Sequence, residues 1–155
     1  MTRPLPEIRL SGSGDEPLWW TSSRGRWRLN GFPGKHIEVQ LERCALGRLR
    51  NSYPVSAFDI EVEVFGATGK TLTDVLRATA EAVFAQEPSC RRLVYAVTRV
   101  PDDETTENDQ AEAAADAGFR FVVDIDTDTE ELILFVAEPG WVTSIDPDLD
   151  SVPGT

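Results

Sequence analysis

Histidine and cysteine are scarce in these 155 residues. His36 is the single histidine, and Cys44 and Cys90 are the only cysteines, neither in a CxxC pair. A disulfide framework and a structural zinc site are therefore not expected. Haem, zinc and non-haem iron drop out with them, because one histidine cannot build a multi-histidine site. Long hydrophobic runs are also missing, and no stretch approaches the roughly 18 apolar residues of a membrane span. Met1-Thr2-Arg3-Pro4-Leu5-Pro6 has no apolar stretch of the secretory kind. Together with the cysteine usage this sets a cytoplasmic expectation. Positive charge is in deficit: Lys and Arg number 15 against 27 Asp and Glu, a net charge of -12. A nucleic-acid backbone or an anionic membrane would be repelled. Small molecules, cationic ligands and other proteins remain as partners.

What is present suits one folded domain. Hydrophobic residues make up 41% and charged residues 27%, enough to build a core. The domain is expected over 1–140, with 141–155 a Pro- and Asp-rich tail. The charge is uneven: residues 1–50 hold nine basic and five acidic side chains, the remainder six and 22. The two ends should attract each other, within the chain or between subunits of a homodimer. The acidic surplus reads either as a solvated surface or as an acidic mouth for an amine.

Glu7 to Leu10 reads as a short strand, and Ser11 to Pro17 as a turn. Leu18-Trp19-Trp20 and Trp27 follow in an Arg-rich stretch. Those tryptophans read as core, as a subunit interface, or as a surface for an adenine or an acceptor. Asn30-Gly31 and Pro33-Gly34 mark turns. His36 to Leu41 alternates as a half-buried strand does. Residues 42–57 carry no clear pattern. Phe58 to Val64 is a period-2 strand with Glu61 and Glu63 on its acidic face. A helix follows with Leu72, Val75, Leu76, Thr79 and Val83 on one side, Thr71 and Asp74 forming a capping box and Pro88 ending it. Arg92 to Val97 reads as a buried strand. Thr106 is the expected N-cap of a helix over Glu107–Ala117, stopped by Gly118. Phe119 to Ile125 and Glu131 to Ala137 are strands joined by a turn at Asp126. The alternation of strands and helices predicts an α/β (α+β) domain with a mixed sheet.

The strand–glycine–helix junction at 58–72 carries the strongest chemical signal. A helix start offers unpaired N–H groups and a positive dipole end, and glycines let a phosphate come close. Lys70 adds a cation and Thr71 a hydroxyl. The segment is neither a Walker A loop, since position 64 is Val64, nor a GxGxxG fingerprint. It can equally be a plain turn before a capped helix. Asp124-x-Asp126-x-Asp128 begins like a calcium loop but has Thr129 and Phe135 at the turn and bidentate positions, so it reads as a hairpin turn. His36 and Cys44 do not form a catalytic pair by spacing, and no G-x-S-x-G is present.

From Phe58 to Ala137 the chain resembles the GNAT superfamily of acyl-CoA-dependent N-acyltransferases. That family follows its fourth strand with a (Gln/Arg)-x-x-Gly-x-(Gly/Ala) loop holding the coenzyme A pyrophosphate on backbone N–H groups. Gly66-Ala67-Thr68-Gly69-Lys70-Thr71 is the matching segment, with Gly69 as the central glycine and Thr71 at the last position. A second mark is a helix ending in Gly-Phe, here Asn108 to Phe119. Its usual tyrosine position, which supplies the general acid, is Ala114. The resemblance implies a GNAT-like, largely antiparallel sheet with helices on both faces, and acetyl-CoA as co-substrate. It implies cofactor contacts at Val64, Gly66, Thr68, Gly69, Lys70, Thr71 and Asn108, with the coenzyme between strands 58–65 and 92–98.

The reaction implied is acyl transfer, most simply acetyl, to a small-molecule or protein amine. It needs a neutral amine, a proton for the thiolate and an oxyanion donor. Glu61 and Glu63 are candidate bases through water, or else a solvated sheet face. Tyr95 and Tyr53 are the only tyrosines. Tyr95, on the strand beside the cleft, is a candidate acid or a core residue. Two rivals stand beside this reading. One is a catalytically silent GNAT-like domain that binds a protein or senses a ligand. The other is an unrelated interaction domain built on its tryptophans.

Overall fold

The computed structural model describes residues 5, 8–10, 16–32, 34–51 and 56–139. The expected tail, Tyr53 and Trp141 lie outside the described residues. Among the described residues seven strands form one sheet: β1 (Glu16–Trp20), β2 (Arg24–Leu29), β3 (Ile37–Arg43), β4 (Ile60–Phe65), β5 (Leu93–Thr98), β6 (Arg120–Asp126) and β7 (Glu131–Ala137). Helix α1 (Gly69–Gln86) joins β4 to β5, and α2 (Glu104–Asp116) joins β5 to β6. The spatial order is β1-β2-β3-β4-β5-β7-β6. Every neighbouring pair is antiparallel except β4 with β5. A parallel pair needs a long crossover, which α1 supplies.

The strands follow the period-2 pattern. Trp27 and Leu29 on β2 and Ile37, Val39 and Leu41 on β3 are buried. They face the same core as Leu72, Val75, Leu76, Ala80 and Val83 of α1 and Ala113 and Ala114 of α2. A smaller apolar cluster on the opposite face joins Cys44 and Leu49 to Val94, Leu132, Leu134 and Val136. Both helices therefore cover one face, and the 44–51 segment covers part of the other. The two α-helices contribute to the first cluster, and the second takes Cys44 from a short helical turn in that segment.

Several boundaries shift for physical reasons. Helix α2 starts at Glu104, not Glu107, because the Asp103 side chain accepts the Thr106 N–H and becomes the cap. Helix α1 starts at Gly69, and its N-cap residue, Thr68, makes no side-chain cap. Thr71 lies inside the helix, so the Thr71–Asp74 capping box does not form. Residues 8–10 are not a strand. Instead the Gln86 side-chain amide brackets the backbone of Arg9, accepting from its N–H at 2.8 Å and donating to its carbonyl at 2.6 Å. Residues 44–46 form a short 3-10 helix. Thr127 and Glu130 close the β6–β7 turn, as the hairpin reading required.

Candidate active site

The sheet parts along β4 and β5. Ile60, Glu61 and Val62 pair with Leu93, Val94 and Tyr95, and the pairing stops there. Both strands continue, to Phe65 and Thr98. Beyond Val62 the β5-facing edge of β4 has no ladder partner among the described residues. A cavity of about 190 Å³ opens in the gap, lined by Arg48, Glu63, Val64, Tyr95, Ala96, Thr98, Val100, Thr106 and Gln110.

Glu61 and Glu63 share the sheet face opposite the helices, yet their surroundings differ. Glu61 has a side chain only 2% exposed, so a solvated-face reading fails for it. Its Oε2 accepts from Arg48 Nη2 at 2.7 Å and from Nε at 3.1 Å. Burial pushes its carboxyl up to about 7 despite the opposing pull of Arg48, with Glu63 and Glu42 adding repulsion. Glu63 is half-buried on the cavity wall and lies 4.0 Å from Arg48. Arg48 Nη1 also donates to Glu130 Oε2 at 2.9 Å. One guanidinium thus ties the segment after β3 to β4 and to the β6–β7 turn, at the rim of the gap.

Tyr95 projects toward the helix-covered core and packs edge-to-face on Phe119, with ring centroids 6.4 Å apart. It also lines the cavity. Burial, then the charges of Asp109 and Glu63, raise its phenol above the usual range, so it holds its proton at neutral pH. Tyr95 is both a core residue and a cavity residue.

The glycine loop enters α1 at the end of β4. Gly66 has φ +89°, and a Cβ there would lie 2.2 Å from the His36 carbonyl oxygen. It is thus a backbone-packing glycine. Gly69 has φ +55°, and a Cβ there would meet nothing within 4 Å. Its N–H points to the Asp109 carboxylate on α2, which accepts at 3.2 Å. Gly69, Lys70, Thr73, Asp74, Arg77, Asp109, Glu112, Ala113 and Asp116 line a cavity of about 500 Å³ between the two helices. Lys70 is largely exposed and lies 3.9 Å from Asp74. Thr68 is exposed and Thr71 half-buried.

The structure brings Glu63, Val64 and Tyr95 to one cavity and Gly69 and Lys70 to another. It does not bring Asn108 to the loop. Asn108 lines a separate cavity of about 500 Å³ with Arg99, Val100 and Glu131. Its neighbour Asp109 meets the loop instead. Sequence reasoning missed Arg48 and Asp109. Arg48 lay in the segment without a pattern, and Asp109 is forty positions from Gly69, so no local signal linked them. Trp27 is core, whereas Trp19 and Trp20 remain exposed at the β1 edge, with Arg24 over the Trp19 ring.

No protein-family model matches the sequence, and no curated protein matches it. Solved structures do match its fold. Aminoglycoside acetyltransferase AAC(6')-Ib, in complex with coenzyme A and kanamycin, aligns over 78% of this chain and 70% of its own, at 14% identity and a TM-score of 0.61. An uncharacterised Bacillus halodurans protein aligns over 80% and 63%, at 15% identity and a TM-score of 0.61. RimJ of Mycobacterium smegmatis, in complex with CoA-disulfide, aligns over 76% and 54%, at 13% identity and a TM-score of 0.50. The chain therefore has the GNAT-like fold that its motifs suggested.

Proposed function

We propose that this chain is an acyl-CoA-dependent N-acyltransferase, with acetyl-CoA as co-substrate and an amine as acceptor. The observation that carries the reading is the parting of β4 and β5 after Val62 and Tyr95, with a cavity in the gap. A thioester arm laid in that gap would meet the free edge of β4 at Glu63 and Val64. The similarity in fold to coenzyme-binding acetyltransferases supports the same reading.

The loop fits a pyrophosphate in backbone shape. Gly69 leaves open space where a side chain would stand, at the positive end of an 18-residue helix. The Asp109 carboxylate already takes that N–H as a stand-in anion. Acetyl-CoA would supply the activated acyl group. Attack by the amine forms a C–N bond and breaks the C–S bond. The amine's proton passes to Glu63, directly or through water, and Tyr95 returns a proton to the departing thiolate. Glu61 is less suited to be the base, because its carboxylate is buried against Arg48 and does not line the cavity. Glu42, Glu63 and Glu130 surround Arg48 and make this face acidic. A small cationic amine fits that charge better than an anionic acceptor.

The test is thermal unfolding with acetyl-CoA, followed by a thiol-release assay across small amines and peptide N-termini. Ligand at ~100 times its dissociation constant should stabilise by about 2.7 kcal/mol, a shift of several degrees. No shift at millimolar acetyl-CoA would sink the reading. A second reading, a silent GNAT-like domain that senses a ligand or a protein, is favoured by Asp109 on the loop and by α2 having Ala114 where the tyrosine would be. It predicts no thiol release with any amine.

A further inference from the structure

The anion position at the start of α1 is filled from within the chain. Asp109 reaches across from α2 and accepts the Gly69 N–H at 3.2 Å. The same cavity is lined by Asp74, Glu112 and Asp116 as well, against two cations, Lys70 and Arg77. Both lie near Asp74, and Lys70 is otherwise exposed. Lys70 lies 3.9 Å and Arg77 4.0 Å from Asp74, and Arg77 Nη2 donates to the Asp116 carbonyl at 2.6 Å. An incoming pyrophosphate would meet more negative than positive charge, and a carboxylate already on the Gly69 N–H.

We propose that Asp109 is a built-in competitor for the coenzyme's pyrophosphate, so that binding requires this carboxylate to leave Gly69. The proposal rests on the acyltransferase reading of the same site. It makes Asp109 an affinity-setting residue and predicts that the native chain binds coenzyme measurably at millimolar ligand, but less tightly than the chain without this charge. The contact also has a structural side, since a carboxylate at a helix start caps it. Asp109→Asn separates the two roles, because the amide oxygen can still accept the N–H while the charge is gone.

The experiment is calorimetric titration of acetyl-CoA, and of adenosine diphosphate as a pyrophosphate probe, into the native chain, Asp109→Asn and Glu112→Gln. Glu112 lines the cavity without contacting Gly69, so it reports cavity charge alone. Asp109→Asn should bind both ligands roughly tenfold tighter or more, and Glu112→Gln should change binding by less than about threefold. Equal gains in the two variants would overturn the proposal in favour of diffuse charge. Unchanged or weaker binding by Asp109→Asn, with the native chain still binding, would overturn it and leave the acyltransferase reading standing. Binding by none of the three would overturn both. A second readout needs no variant: the Gly69 amide resonance of the native chain should move on titration with acetyl-CoA as its partner is exchanged. A static Gly69 resonance under saturating ligand would also overturn the proposal.

Discussion

The two halves of β4 differ although their sequence is one alternation, Ile-Glu-Val-Glu-Val-Phe. Ile60, Glu61 and Val62 are buried and zipped to strands on both sides, β3 and β5. Glu63, Val64 and Phe65 keep β3 but lose β5, and their burial falls step by step. The same residue type thus serves two purposes. Glu61 becomes an interior partner of Arg48, while Glu63 becomes part of a cavity wall. The difference lies in the neighbouring strand and not in the glutamate. The closed half is locked at its start by Arg43, whose Nη1 donates to the Phe58 carbonyl at 2.9 Å and whose Nη2 meets Glu87 at 2.6 Å, both side chains fully buried. The open half ends at Gly66, on the loop that leads to the candidate coenzyme site.

The strongest way to break this contrast is at the lock. Glu87→Ala removes the buried carboxylate that meets Arg43 Nη2, and should cost about 3–5 kcal/mol, a fall of roughly 10 °C in melting temperature. Urea unfolding checks it, and a cost under about 1 kcal/mol would mean that the closed end is not held there.

Next comes the middle of the strand. The Glu61 carboxyl is raised in the folded chain from its ordinary value to about 7, so the fold favours its protonated form. That contribution is fully present below the unfolded value and is lost as pH rises through 7. Stability should fall from pH 5 to pH 8 by on the order of 2–3 kcal/mol from this group. Glu61→Gln should flatten most of that slope. An equally steep slope in the variant would assign it to other groups.

The smallest effects separate the two loop glycines. Gly66→Ala places a methyl against the His36 carbonyl in a left-handed conformation and should cost about 2–3 kcal/mol. Gly69→Ala meets only the conformational penalty, about 1 kcal/mol, but should weaken acetyl-CoA binding by blocking the approach to the N–H. Equal destabilisation by the two would contradict the division between a packing glycine and a site glycine. Equal coenzyme affinity for Gly69→Ala and the native chain would move the pyrophosphate elsewhere.

Much of this was legible in the sequence. The strand over β7 matches the structure residue for residue, and the other strands of the second half differ by a residue or two at their ends. Period 2, the glycine junction and Gly118 carry that information locally. The first half was less legible. β1 and β2 appeared only as tryptophans and arginines, and the start of the chain read as a strand where a glutamine side chain brackets the backbone. The start of α2 was misplaced because Asp103 and Thr106 are both acceptable caps, and only the fold chooses between them.

The sequence by itself determined the layers, since an alternating strand and an amphipathic helix each have one face to bury. It also determined the acidic balance and the position of the glycine loop. Only the tertiary structure decided where the sheet parts, which of two glutamates is buried, and which charges meet at a distance. Arg48 with Glu130 and Gly69 with Asp109 are far apart in the chain. Their contacts depend on how α2 and the β6–β7 turn fold back over the sheet, and no local periodicity encodes that return.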